Sequence, residues 1–179
     1  MGVRAFALLL VAAAALAGCT STSGVAAPSS PSPPPVSNPK DARGVQPCTL
    51  LTAAQASSLG LDPTRAEAGA TADLVDCFWP STQLPVTSLA VTIDTNPTRR
   101  GLTDTYLKRD TFRIFEPLVV NGYPAVRAEI EPSNDCTIYL GLSETQDIRV
   151  DVGARSPTDA CGLVKRAIAA MLTHLPPQR

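Results

Sequence analysis

The sequence predicts an α+β fold, with an antiparallel sheet of about six strands packed against an N-terminal helix and a long C-terminal helix, and one short middle helix. Three observations carry that expectation. Short alternating apolar runs recur through the second half of the chain, separated by turn signals. Asn121-Gly122 lies between two such runs, which is a strong short-range hairpin signal. Near the end of the chain, Val164, Ile168, Met171, Leu172 and Leu175 repeat at helical spacing.

Taken in order, the first element is a helix in CTLLTAAQASSLGL. Thr52 caps it, Gln55 at the third helical position completes a capping box, and Gly60 suits the left-handed position that ends a helix. LVDCFWP is a short strand. VTSLAVTID alternates, with Leu89, Val91 and Ile93 on one face. Residues 101–110 read as a short helix, amphipathic through Leu102, Tyr106 and Leu107. Residues 112–120 and 123–131 flank the Asn121-Gly122 turn. Residues 136–143 and 147–155 flank Glu144-Thr145-Gln146 as a second hairpin. The last helix is expected from about Pro157, a first-turn residue, to His174, with Pro176-Pro177 stopping it.

The N-terminus has a different character. Arg4 is followed by an apolar run from Ala5 to Ala17, the proportions of a secretory signal and too short for a spanning helix, which needs roughly 20 residues. The run ends in Leu16-Ala17-Gly18-Cys19, which resembles the bacterial lipobox. That resemblance implies a signal peptide over residues 1–18, cleavage between Gly18 and Cys19, and lipid on the Cys19 thiol. The other reading is a plain secretory signal with an incidental cysteine. Two or three acyl chains would anchor the protein stably to a membrane that it does not cross. Residues 19–46 follow as a Pro/Ser-rich segment almost free of large apolar side chains, expected to be a disordered tether reaching up to roughly 80 Å. A passive spacer is the preferred role, with a proline-motif ligand as the alternative. Residues 47–177 form the single domain.

Composition excludes some classes. Of 15 basic and 16 acidic residues only Arg4 lies in the signal, so the remainder is nearly neutral, with no block of like charge. Arg99-Arg100 and Lys108-Arg109 are pairs rather than patches, and aromatics make up 4% of the chain. Neither a basic face nor a stacking platform for nucleic acid is present. With Cys19 lipidated, Cys48, Cys77, Cys136 and Cys161 remain, an even count that reads as disulfides in an exported chain. Zinc is the rival reading, but no C-x-x-C or paired histidine makes a compact ligand set. Placing 142 opposite 148 in the second hairpin puts 136 opposite 154, close to the start of the last helix. That favours Cys136–Cys161, and with it Cys48–Cys77, each closing a loop worth around 3.5 kcal/mol in the chain-entropy model. Cys48–Cys161 with Cys77–Cys136 stays open as the alternative.

Several motifs together resemble a known family: the lipobox, Pro47-Cys48-Thr49-Leu50-Leu51-Thr52, Cys77-Phe78-Trp79, the Gly122–Ala125 run, the strand led by Cys136, and Asp159-Ala160-Cys161. They are similar to actinobacterial cell-envelope lipoproteins defined only by a domain of unknown function (domain of unknown function 3558). The resemblance implies an envelope lipoprotein with four structural cysteines, held on the outer face of the plasma membrane, and brings no activity with it.

No catalytic, metal or cofactor site is assigned from the sequence. His174, the one histidine, reads as a surface cap near a helix C-terminus. Asp73 with Asp76, and Glu129 with Glu131, are the candidate carboxylate pairs for acid–base work, although alternating carboxylates on a strand usually form its solvated face. Trp79 reads as core, and Tyr123 as cover for the core rim. Two functions remain: a non-catalytic binding module for an envelope protein or small ligand, and a carboxylate hydrolase acting on envelope glycans or lipids. The hydrolase requires two acidic side chains in one cleft, one with a raised pKa. A purely structural envelope protein is the third reading.

Overall fold

The computed structural model describes residues 32–178. The expected signal peptide, Cys19 and the expected tether up to residue 31 lie outside the described residues. One antiparallel sheet holds seven strands: β1 (Glu67–Ala70), β2 (Leu74–Pro80), β3 (Val86–Asp94), β4 (Ile114–Val120), β5 (Tyr123–Glu129), β6 (Cys136–Gly141) and β7 (Asp147–Ala154). Their spatial order is β1-β2-β3-β7-β6-β5-β4. Two meanders are thus joined where β7 returns beside β3. The helices are α1 (Ala53–Ser58), α2 (Leu102–Leu107) and α3 (Ala160–Met171).

The fold is α+β, with one strand more than the expected six. The additional strand is β1, whose Glu-Ala-Gly-Ala sequence has no β-branched or aromatic residue and so carries no strand signal. It forms because β2 offers a free edge, and because Gly69 lies opposite Asp76, where a Cβ would press on the Asp76 carboxylate.

Alternation along the strands sorts side chains to two faces. Leu89, Val91, Ile93, Ile138, Leu140, Ile148, Val150 and Val152 point to one face and are at most 2% exposed. They pack with α3 through Val164, Ala167, Ile168 and Met171, and with Leu50 and Ala56 beside α1. Trp79 is in this core, as expected. A smaller cluster lies on the opposite face, where Leu102 and Tyr106 of α2 meet Val126, Ala128, Phe112, Phe115 and Tyr139. Tyr106 and Phe115 make an edge-to-face pair at 5.1 Å. α2 covers only part of this face, and the remainder over β2, β3 and β7 is open.

Local signals held at most helix ends. Thr52 accepts from the Gln55 amide while the Gln55 side chain accepts from the Thr52 amide, so the capping box is formed. Gly60 has a φ of +76° and Gly122, in the β4–β5 turn, +83°. Three expectations are corrected. α3 begins at Ala160 rather than near Pro157, because the Asp159 carboxylate accepts the Gly162 amide and caps it there. Leu107 is 57% exposed, since one residue past Tyr106 it stands about 100° round the helix from the face that meets the sheet. In the second hairpin Leu140 lies opposite Ile148, and Cys136 opposite Val152 rather than residue 154.

Cys48 is bonded to Cys77 and Cys136 to Cys161, with Cα atoms 5.0 and 5.2 Å apart. The first bond ties the segment before α1 to β2, and the second ties β6 to the first turn of α3. The two-residue shift in the hairpin leaves Cys136 within reach of Cys161.

The domain also begins earlier than residue 47. Residues 38–42 form a strap across the ends of the strands. The Lys40 amide donates to the Leu142 carbonyl at 2.9 Å, the Asp41 amide to Pro176 at 2.9 Å, and the Gln178 amide to Pro39 at 2.9 Å. Tyr123 donates its hydroxyl to the Asn38 carbonyl at 2.7 Å, and Ala42 is 1% exposed. The composition of this stretch reads as tether; its backbone amides, with the small side chain of Ala42 buried in the core, hold it down.

Candidate functional site

The most developed polar site lies where α2 meets the ends of β3 and β7. The β3–β7 register places Ile93 opposite Ile148, so Asp94 and Asp147, one position further on, end their strands side by side on the partly open face. Like charges directly opposite one another on neighbouring strands destabilise a sheet. The chain resolves this with Arg99. Leaving β3, it makes two consecutive side-chain turns: Asp94 accepts the Asn96 amide at 2.9 Å, and Asn96 accepts the Thr98 amide at 2.9 Å. These bring Arg99 back over the strand ends, and Gly101, with a φ of +51°, starts α2 against the β6–β7 turn. A Cβ at Gly101 would lie 2.9 Å from the Ser143 carbonyl oxygen.

Arg99 then holds three carboxylates. Its Nη2 lies 3.2 Å from Asp147 Oδ1, its Nη1 3.2 Å from Asp104 Oδ2, and its Nε 3.1 Å from Asp94 Oδ2. The last contact is an ion pair only: Nε is buried and makes no hydrogen bond. Arg100 adds a second cation on Asp104 at 2.8 Å. Burial pushes the Asp147 carboxyl up, with Asp94 and Asp104 adding to that, against the pull of Arg99. Asp104 moves the other way: burial is outweighed by the Arg100 amide and side chain and by Arg99, so its carboxyl is held below the usual value. The guanidinium of Arg99 is raised by the same three carboxylates in spite of its own burial.

This cluster walls a cavity of about 190 Å³, completed by Leu74, Thr92, Lys108, Phe112, Tyr139 and Arg149. Thr92, Arg149 and Tyr139 are successive cross-strand partners on β3, β7 and β6, and form one rung of the sheet. A second depression of about 240 Å³ shares Phe112, Tyr139 and Arg149 with the first and continues past Thr137 to Ser133 and Asp135. Its floor is held by paired polar groups: Thr137 Oγ1 donates to Asp151 at 2.7 Å, and Arg149 lies 2.9 Å from the same carboxylate.

The residues singled out in the sequence lie elsewhere. His174 Nε2 is 2.8 Å from Gln55 Oε1 on the surface and meets no carboxylate or nucleophile among the described residues. Asp76 faces Gly69 and Thr92 from within β2, and Asp73 precedes that strand, so they do not form a pair in a cleft. Glu129 is corrected from solvated to buried: it is 6% exposed, and its Oε1 accepts from Arg127 Nε at 2.7 Å. Its Oε2 is buried without a hydrogen-bond partner among the described residues. Glu131 lies beyond the strand end on the surface, paired with Arg113. Glu129 and the sulfurs of Cys136 and Cys161 lie within 4.8 Å of one another, but the disulfide occupies both sulfurs. Gly18 and Cys19 fall outside the described residues.

Sequence reasoning missed Asp94, Arg99, Asp104 and Asp147. One signal was available, the Arg100–Asp104 spacing of a helical ion pair. The Asp94–Asp147 juxtaposition was not, because it needs the pairing of β3 with β7 across 48 residues separating Arg99 from Asp147.

A family model described as a protein of unknown function (DUF3558) matches residues 14–174. No curated protein and no solved structure matches the chain.

Proposed function

The chain belongs to the family of proteins of unknown function DUF3558, and from that premise we propose that it is a lipid-anchored, extracytoplasmic binding module whose small ligand occupies the Arg99 cavity. One observation carries the reading. All three carboxylates around the cavity are engaged by Arg99, so the site offers fixed donors and acceptors rather than a free acid and base. Ligand sites are concave and carry a few placed polar groups, and the volume here suits a small ligand or one part of a longer one. The two disulfides suit an oxidising compartment, and lipid on Cys19 would hold the protein at the outer face of the membrane.

The test uses the full chain purified from membranes in mild detergent and examined by native mass spectrometry. A small molecule retained by the wild type and lost from Thr92→Phe, which fills the cavity floor, is the expected result. Retention by Thr92→Phe would move the ligand elsewhere, and no retained or added small molecule in either form would end the reading. A Cys19→Ser chain should partition into the soluble fraction.

The hydrolase reading keeps one specific support, the raised carboxyl of Asp147 beside Asp94 in a concavity. It predicts that Asp147→Asn abolishes release of products from envelope glycan or lipid. Binding without turnover in the wild type would dismiss it.

A further inference from the structure

We propose that the Arg99 cavity and the depression beyond Tyr139 act as one groove that binds a neutral, hydroxyl-rich chain, an oligosaccharide laid across β3, β7 and β6. The inference rests on the binding reading above and specifies its ligand class. Continuity comes first. The two depressions share Phe112, Tyr139 and Arg149, so a ligand leaving one enters the other without crossing a ridge of unrelated residues. Each has the size of a single sugar ring, at about 190 and 240 Å³.

The charge pattern selects the chemistry. The charges set into the floor are paired, Arg99 with three aspartates and Arg149 with Asp151, while Lys108 at the rim of the first depression and Asp135 at the second make no ion pair among the described residues and are of opposite sign. A phosphate or carboxylate entering the groove meets the aspartates, and an ammonium meets the guanidinium groups. A hydroxyl, both donor and acceptor, is served by each. Planar guanidinium and carboxylate groups fixed by one another lose little freedom on engaging neighbouring hydroxyls, which is the preorganisation that weak polar ligands need. At the waist between the depressions stand Phe112 and Tyr139, with ring centroids 6.3 Å apart and planes 59° apart. Such rings offer an apolar surface to the C–H faces of a sugar. Of the large exposed apolar residues, Leu84, Leu107 and Val119 lie off the groove, and Leu74 and Ile130 stand singly, one at each depression, rather than as a broad apolar patch of the kind that marks a protein partner's site.

The test titrates the full chain in detergent with neutral gluco-, manno-, galacto- and arabino-oligosaccharides of increasing length, read by calorimetry. Anionic probes (a hexuronic-acid oligomer and a glycan-free phospholipid micelle) form the second arm. The expected result is binding of at least one neutral series that tightens tenfold or more from the single sugar to the trimer. Tyr139→Ala should weaken it tenfold, Thr92→Phe should abolish the length dependence, and Tyr139→Phe should retain most of the affinity. Tighter binding of the anionic probes, or binding indifferent to Tyr139→Ala, overturns the proposal. If Thr92→Phe loses a co-purified ligand that is not a glycan while every oligosaccharide fails, this inference falls and the cavity reading survives.

Discussion

Replacing Arg99 with methionine tests whether the cluster over the strand ends is an integrated electrostatic unit. The change keeps an apolar stem of similar reach and removes the one group among the described residues that touches all three aspartates. Asp147, its side chain 5% exposed, is left as a buried charge without its partner. Breaking a buried pair from one side costs about 3–5 kcal/mol, and the lower figure suits a guanidinium that is itself 21% exposed. Asp94 and Asp104 keep more water, at 25% and 14% exposure, and add about 0.5 kcal/mol each through lost pairing and mutual repulsion. The total is about 4 kcal/mol at pH 7. Urea unfolding followed by circular dichroism, fitted with a common slope, reads it as a shift in midpoint. The pH dependence is the stricter part. Asp147 is already pushed up by burial, and without Arg99 it loses the pull that opposed that shift, so the folded variant binds more protons than its unfolded chain and its stability rises as pH falls toward about 4. The wild type gains less over that range, because Arg99 and Arg100 hold Asp104 down. The gap between the two proteins should therefore shrink to less than half by pH 4.5, and Asp147→Asn in the variant background should recover part of the loss. A deficit under about 1 kcal/mol at pH 7, or one that does not change with pH, would refute the reasoning.

Further outcomes follow from other parts of the molecule. Asp104→Asn should destabilise most at neutral pH and approach the wild type in acid, because a carboxyl held low contributes its stability above the unfolded value and loses it as pH falls through the folded one; urea midpoints from neutral pH into acid check it. Alanine at both Cys48 and Cys77, 29 residues apart, should cost about 3.6 kcal/mol, and at both Cys136 and Cys161, 25 apart, about 3.5 kcal/mol, by the same unfolding assay. Thr52→Ala breaks the capping box and should cost about 1 kcal/mol. Gln146→Ala leaves the buried Ala42 amide without its acceptor and should cost about 2 kcal/mol, with hydrogen exchange at Ala42 rising before that of β3 or β7.

What could be read in the sequence was what local chemistry encodes. The six strands with β-branched alternation, the Asn121-Gly122 turn and the Thr52–Gln55 cap each depend on residues within a few positions of one another. β1 could not be read, because small residues form a strand only when a neighbour supplies the edge. α3 began late because one carboxylate, Asp159, outcompeted the first-turn preference of Pro157. The strap was hidden by composition: Pro39-Lys40-Asp41 looks like tether, and its order comes from amides that meet Leu142 and Pro176, which are remote in sequence. The site was hidden for the same reason. Arg99 looked like half of a surface pair until β7 came to lie beside β3.

The strap also gives the molecule a load path. A pull on the chain preceding Asn38 acts on Val36, packed at the edge of the core, and then on the strap. It is taken up by the Lys40–Leu142 bond and by Gln146, whose side chain accepts from the Ala42 amide at 2.7 Å and donates to Asp41 at 3.0 Å. The next residue is Asp147, held by Arg99. Tension in the leading segment thus reaches the carboxylate cluster through a single peptide unit, and through Pro176 and Gln178 it reaches the chain that follows α3 as well.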